Sequence, residues 1–259
     1  MELFTPTQPW FRTSETERDL PLLLCFPWAG GVANDFAQLK ACLRCKFETH
    51  GVLLPGRGRR TRDAKPSTLE ALAESFVDDA MHVISLRRVW LFGHSMGADL
   101  AMLVAQAMER LLKAGPERVV LSSLPGPIVG QMRGTSHLWS EDEFYKFLKA
   151  DPRIPPVFFE PGNLSVLGPL VRQDYACSDA HVYRDLRAIS CPITVLAGSH
   201  DQISTDELLL WRVWTQSTFS LRLIPGGHNC LQTHPISIAR LLLEDLEFSD
   251  LNSYANKHN

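Results

Sequence analysis

The pentapeptide Gly93-His94-Ser95-Met96-Gly97 constrains this chain more than any other segment, because the apolar run Val89–Phe92 leads straight into it and a helix-forming stretch, Ala98–Leu112, follows at once. Strand and helix are joined with almost no connecting residues, so the central serine sits on a sharp, strained turn. Glycines on both flanks let strand and helix pass close to one another. The serine hydroxyl is thereby presented at the top of a sheet. A serine that merely capped the helix would need neither glycine.

The remainder of the chain alternates in the same way. Apolar runs at Pro21–Phe26, Val52–Leu54, Arg118–Leu121, Pro192–Ala197 and Leu221–Ile224 read as further strands, most of them closed by Gly or Pro. Helical spacing marks Ala33–Leu43, a segment from Leu69 to Val77 with Ser67 ahead of it as a plausible N-cap, Ser204–Trp214 and Ile236–Leu246. Strands alternating with helices predict an α/β fold, with a mostly parallel central sheet and helices on both faces. At 259 residues, 1–259 reads as a single domain.

One stretch interrupts the alternation. From about 126 to 185 the pattern breaks into short helical pieces, Ser140–Leu148 and Leu164–Tyr175, divided by Pro152, Pro155, Pro156 and Pro161. Ser140 followed by Glu143 is a capping box for the first piece. This region is expected to be a helical lid over the carboxyl edge of the sheet. The polar end of the chain, from about Phe248, is expected to fray.

Charge and hydropathy narrow the function classes. With 26 Lys and Arg against 29 Asp and Glu, the net charge of -3 offers no basic face for counterion release, which speaks against nucleic acid. No apolar run approaches the roughly 20 residues of a membrane span. The segment from Met1 to Leu20 lacks the apolar core of a secretory signal, and the six cysteines are scattered, as expected of reduced thiols. The expectation is a monomer in the cytoplasm.

A serine hydroxyl is a poor nucleophile without a base, commonly a histidine held by a carboxylate. Of nine histidines, His228 stands after the last strand, behind the flexible Pro225-Gly226-Gly227. His234, beside Pro235, competes with it but suits a helix cap or the surface. His94 is expected to pack beside the nucleophile, and His50, His82, His137, His181 and His258 read as structural. No Asp or Glu lies between Arg118 and Gly130, which leaves Asp201, in Gly198-Ser199-His200-Asp201 after Pro192–Ala197, as the acid. Asp206 and Glu207 suit the first turn of the next helix. The order Ser95, Asp201, His228 is that of an α/β-hydrolase. Two backbone N–H groups are needed for a tetrahedral oxyanion: Met96, directly after the nucleophile, and Ala29, with Trp28 as the alternative, from the loop after the first strand.

Taken together, Phe26-Pro27-x-Ala29-Gly30-Gly31, Leu54-Pro55-Gly56-Arg57-Gly58, Gly93-His94-Ser95-Met96-Gly97, Cys191-Pro192-Ile193 and Pro225-Gly226-Gly227-His228 resemble the type II thioesterases of polyketide and nonribosomal peptide biosynthesis. The likeness runs from about Leu22 to Leu243 and takes in Arg172–Asp174 and Trp211. It implies hydrolysis of acyl groups from the phosphopantetheine arm of acyl or peptidyl carrier domains. Ser95 would be the nucleophile, His228 the base and then the acid, and Asp201 the residue that orients it, with no metal or organic cofactor. Asn229-Cys230 departs from the aromatic residues that many members carry after the catalytic histidine.

Less specific features leave more open. Trp139, Phe144, Phe147 and Leu148 are expected either to shape an acyl channel or simply to hold the lid together. The cluster Arg57, Arg59, Arg60, Arg62 and Lys65 would meet an acidic carrier domain or lie in a solvated loop. Cys42-x-x-Cys45 has the spacing of a metal or redox pair but no matching second pair. A carboxylesterase or lipase acting on free esters would use the same triad, and a catalytically silent scaffold would keep the fold without it.

Overall fold

The computed structural model describes residues 9–12, 19–151, 154 and 156–257. Six strands, β1 (Leu22–Phe26), β2 (Glu48–Gly51), β3 (Val89–His94), β4 (Arg118–Ser122), β5 (Ile193–Gly198) and β6 (Phe219–Ile224), form one sheet in the order β2-β1-β3-β4-β5-β6. Every pairing between them is parallel.

The continuous apolar strands follow from a sheet that is buried on both faces. Leu22, Leu24 and Phe26 of β1 feed one core together with Leu91, Val119, Leu121, Ile193 and Val195. The intervening Leu23 and Cys25 feed the other, with Trp90, Phe92, Val120 and Leu196. Successive side chains point to opposite faces of a strand, so an uninterrupted run is what two cores require. Helices α2 (Leu69–Ile84) and α3 (Met96–Leu112) lay their apolar sides on the first core. Helix α1 (Ala37–Leu43) and the last two helices, α7 (Cys230–Thr233) and α8 (Pro235–Lys257), cover the second.

Several sequence expectations are corrected. The second strand is Glu48–Gly51, before the apolar Val52–Leu54, which lies outside the ladder. Its polar lettering is tolerated because β2 is an edge strand and because Arg87 and His50 pair with the buried Glu48. The N-cap of α2 is Thr68, whose hydroxyl accepts from the Ala71 N–H, and not Ser67. The segment after Ser204 is a single α turn, α6 (Thr205–Leu209), continued as a 3-10 helix over Leu210–Trp214. The last helix does not stop near Leu246 or fray at Phe248 but continues to Lys257.

Between β4 and β5 lie α4 (Glu141–Ala150) and α5 (Pro161–Asp179), with short 3-10 turns at Ser136–Leu138 and Pro156–Phe159. Ser140 and Glu143 form the expected capping box on α4. These elements have a small core of their own, Phe144, Leu148, Phe158 and Val171. Pro152 and Pro155, two of the prolines that divide this region in sequence, lie outside the described residues.

Candidate active site

The turn after β3 has the geometry its glycines foretell. Ser95 adopts φ 54 and ψ -126, a conformation that L side chains rarely take. A Cβ on Gly93 would lie 2.0 Å from the Gly97 carbonyl oxygen, and one on Gly97 would lie 2.1 Å from that of Phe26. The Ser95 N–H donates to the Ser122 carbonyl at the end of β4, 2.8 Å away, which ties the turn to the neighbouring strand.

The loops after β5 and β6 are pressed together so that their side chains meet. A Cβ on Gly198 would fall 2.3 Å from the Gly226 carbonyl oxygen, and the His200 N–H donates to that same oxygen at 2.9 Å. Gly226 holds φ 105, a conformation glycine adopts without strain. Across this junction His228 Nδ1 lies 3.1 Å from Asp201 Oδ2, with both side chains nearly buried. Burial alone would raise the Asp201 carboxyl. Hydrogen bonds from His228, the Gln202 N–H and the Ser123 side chain outweigh it and hold the group below its ordinary value.

His94 is sealed beneath this pair. Its ring centroid is 5.5 Å from that of His228, and its Nδ1 is 2.9 Å from Ser122 Oγ. Burial pushes its pKa down to about 3, so the ring is neutral under ordinary conditions. His234 instead bonds the adjacent Thr233 hydroxyl, at 2.8 Å. His50 and His181 face Glu48 and Glu70, while His82 is exposed on α2. His137 lies in the short turn at Ser136–Leu138, and His258 falls outside the described residues.

Ser95 and His228 border one cavity of about 980 Å³, which Trp28, Ala29 and Met96 also line. Its wall toward the insertion is largely apolar, from Trp139, Phe147, Ile154, Phe158 and Leu167. Of the four residues considered for a channel, Trp139 and Phe147 reach this wall. Phe144 and Leu148 do not: both are fully buried in the insertion's own core. With Nδ1 engaged by Asp201, the remaining ring nitrogen of His228 is the one available for proton transfer in the cavity.

The basic cluster has a different role from the one its charge suggests. Arg57 and Lys65 are buried and both engage Asp174 of α5. Arg60 lies over the Trp10 ring at 4.0 Å and donates to the Leu53 carbonyl, while Arg59 bonds the Pro9 carbonyl. Arg59 and Arg62 are both exposed. Arg57, Arg60 and Lys65 are therefore an internal brace, and only Arg59 and Arg62 present charge at the surface. Cys42 and Cys45 are exposed free thiols at the end of α1, and among the described residues no three or more His, Cys, Asp or Glu side chains gather as metal ligands.

Ser123 escapes a reading of the sequence. It follows β4 with φ 52, is fully buried, and bonds both Asp201 and Cys230. Nothing in the letters Ser122-Ser123 separates it from any serine after a strand. Arg133 is similar: it lines the cavity while its guanidinium is taken up by the buried Asp99 of α3.

A parallel sheet with a serine on a strained turn after a central strand, and an aspartate and histidine paired on the two following loops, defines an α/β-hydrolase. The chain belongs to the thioesterase family, whose domain model matches residues 21–246. Among its relatives is the gramicidin S biosynthesis protein GrsT of Aneurinibacillus migulanus, 25% identical over 88% of this chain and 90% of that one. Among solved structures, BorB, the type II thioesterase from the borrelidin biosynthetic cluster, is 30% identical with a TM-score of 0.77, covering 91% of this chain and 96% of that one. RedJ, a thioesterase from the prodiginine pathway in Streptomyces coelicolor, is 27% identical with a TM-score of 0.78, covering 88% and 90%. The chain is a type II thioesterase, a thioester hydrolase.

Proposed function

We propose that this enzyme hydrolyses acyl thioesters from the phosphopantetheine arm of acyl or peptidyl carrier domains in polyketide or nonribosomal peptide assembly, through an acyl-enzyme on Ser95. The observation that carries this reading is the Asp201–His228 pair at 3.1 Å, whose histidine borders the same cavity as Ser95. The names of the relatives support the biosynthetic setting.

In this reading Asp201 accepts from the Nδ1–H of His228 and so keeps Nε2 free to take the Ser95 proton. The serine oxygen attacks the thioester carbon, and the Ala29 and Met96 N–H groups receive the oxyanion. Collapse breaks the carbon–sulfur bond, and His228 returns its proton to the leaving thiol of the arm. Water, deprotonated by His228, then releases the acid and restores Ser95. The chemistry calls for no metal or organic cofactor. We take the enzyme to act as a monomer in the cytoplasm, with carrier domains as partners and neither nucleic acid nor membrane. Among the described residues no helix is long and apolar enough to cross a bilayer.

The test compares an acyl group on a carrier protein with the same acyl group as an oxygen ester, for the wild type and Ser95→Ala. The carrier thioester should turn over faster than the ester, and the variant should retain no more than about a thousandth of that turnover. Strong preference for the free ester would favour a carboxylesterase instead, and full activity in the variant would remove Ser95 from the chemistry.

A further inference from the structure

The oxyanion loop is held from the insertion. The Gly30 N–H donates to Asp174 Oδ2 at 2.6 Å, so a carboxylate on α5 grips the peptide unit that directly follows Ala29. The same carboxylate receives Arg57 Nη2 on both oxygens, at 2.9 and 2.8 Å, and the Lys65 ammonium. Arg57 Nη1 in turn donates to the Gly31 carbonyl at 2.5 Å. Two consecutive glycines of the loop are thus fixed by one buried ion cluster that joins three segments: the loop after β1, the loop after β2 and α5.

Packing reinforces the grip. Gly30 has φ +81, and a Cβ there would lie 2.4 Å from Val171 Cγ2, one helical turn before Asp174 on the same helix. Helix α5 therefore rests on the Gly30 backbone as well as bonding to it. The bond to Asp174 also removes the Gly30 N–H from the candidate oxyanion donors. Among the described residues no hydrogen bond occupies the Ala29 N–H.

We propose that Asp174 is a positioning residue for the reaction: by holding the Ala29–Gly30 peptide from the insertion, it limits, across the Ala29 Cα, how the adjoining Trp28–Ala29 peptide can turn, and with it the direction of the Ala29 N–H toward the tetrahedral intermediate. The inference rests on the proposed acyl-enzyme reading, since it concerns a donor used in that chemistry. Its physical basis is that an oxyanion donor acts through preorganised geometry, and a displacement of about 1 Å can cost on the order of a hundredfold in rate. The carboxylate, with Arg57 and Lys65 around it, is more than a neutralised charge. It is the acceptor that fixes one backbone N–H and, across the Ala29 Cα, restrains the orientation of the preceding peptide.

The experiment uses the full chain with Asp174→Asn, alone and combined with Lys65→Met, because the single variant leaves two buried cations facing a neutral amide. Three readouts are compared: steady-state hydrolysis of an acyl-pantetheine thioester, the affinity of a trifluoromethyl ketone that forms a tetrahedral adduct with a serine, and the affinity of the matching thioether, which cannot react. The expected result is a fall in kcat of about tenfold to a hundredfold, a parallel loss of affinity for the ketone, and a KM and thioether affinity within about twofold of wild type. Arg57→Lys, which keeps a cation but loses the two-pronged hold and the bond to Gly31, should reproduce the effect at smaller size and stands in should both Asp174 variants fail to fold. Wild-type kcat in a folded Asp174 variant overturns the inference, as does an equal loss for ketone and thioether. Ser95→Ala, measured beside them, separates the two levels: if it stays active the acyl-enzyme reading falls and the inference with it, whereas an inactive Ser95→Ala beside an unaffected Asp174→Asn overturns the inference alone.

Discussion

The ring of His94 lies 5.5 Å from that of His228, and it is the more deeply buried of the two, its Nδ1 2.9 Å from the hydroxyl of Ser122. In the unfolded chain an imidazole takes up a proton below about pH 6.5, whereas the folded protein resists protonating His94 until about pH 3. Between these values the unfolded state holds more protons at this position, so stability falls as the pH falls, by up to about 1.4 kcal/mol per pH unit. Urea unfolding of the wild type and His94→Gln at pH 7 and pH 5 reads this directly. The wild type should lose about 2 kcal/mol more than the variant over that interval, and equal losses would show that another group is responsible.

Two glycines make opposite forecasts. A methyl group on Gly97 would lie 2.1 Å from the backbone oxygen of Phe26, which cannot move without disturbing β1. Gly97→Ala should cost about 3 kcal/mol or more, visible as loss of soluble protein or a much lower Tm. Gly162, in the first turn of α5, has nothing within 4 Å of such a methyl. Gly162→Ala should therefore raise stability by up to about 0.5–1 kcal/mol, chiefly by restricting the unfolded chain. A destabilising effect at Gly162, or a silent one at Gly97, would contradict the packing described.

These positions also mark what the sequence discloses and what it hides. Apolar runs such as Leu22–Phe26 disclose the sheet because both of its faces are buried, and Ser95, Asp201 and His228 are legible because each follows a strand in the expected order. The edge strand Glu48–Gly51 is hidden, since its buried Glu48 is answered by Arg87 from a distant segment. The same holds for Arg57, which reads as surface charge until Asp174 of α5 closes over it. Partners far apart in the chain leave no local pattern, so charges near one another in sequence read as surface residues. Phe144 and Phe147 differ in role for the related reason that periodicity gives a helix face but not what lies against it.

Ser95 stores backbone strain. Its φ of 54 and ψ of -126 suit glycine, and such outliers cost of order 1–3 kcal/mol. Ser95→Gly should abolish hydrolysis while raising the unfolding free energy by about 1 kcal/mol, after allowing for the greater freedom of glycine in the unfolded chain. Thermal melting alongside activity is sufficient to check it. A variant no more stable than Ser95→Ala would mean that the turn is not strained.

The insertion separates cavity lining from self-support within one helix. Phe147 lines the cavity, half-buried, and meets Trp139 edge to face at 5.2 Å. Phe144, on the same helix, is fully buried between Tyr175, at 5.5 Å, and its other neighbours in the insertion core. Truncating Phe147 should therefore open the acyl wall: Phe147→Ala is expected to shift the ratio of kcat/KM for dodecanoyl over butyryl thioesters by about tenfold toward the longer chain, since hydrophobic fit is worth about 1–3 kcal/mol per methylene-sized change. Phe144→Ala should instead cost about 3–5 kcal/mol in the insertion's stability and lower turnover of both chain lengths together. The discriminating measurement is that ratio, taken with proteolytic sensitivity of residues 126–185. If Phe144→Ala shifts chain-length preference and Phe147→Ala only loosens the insertion, the two side chains have exchanged roles and the wall lies elsewhere.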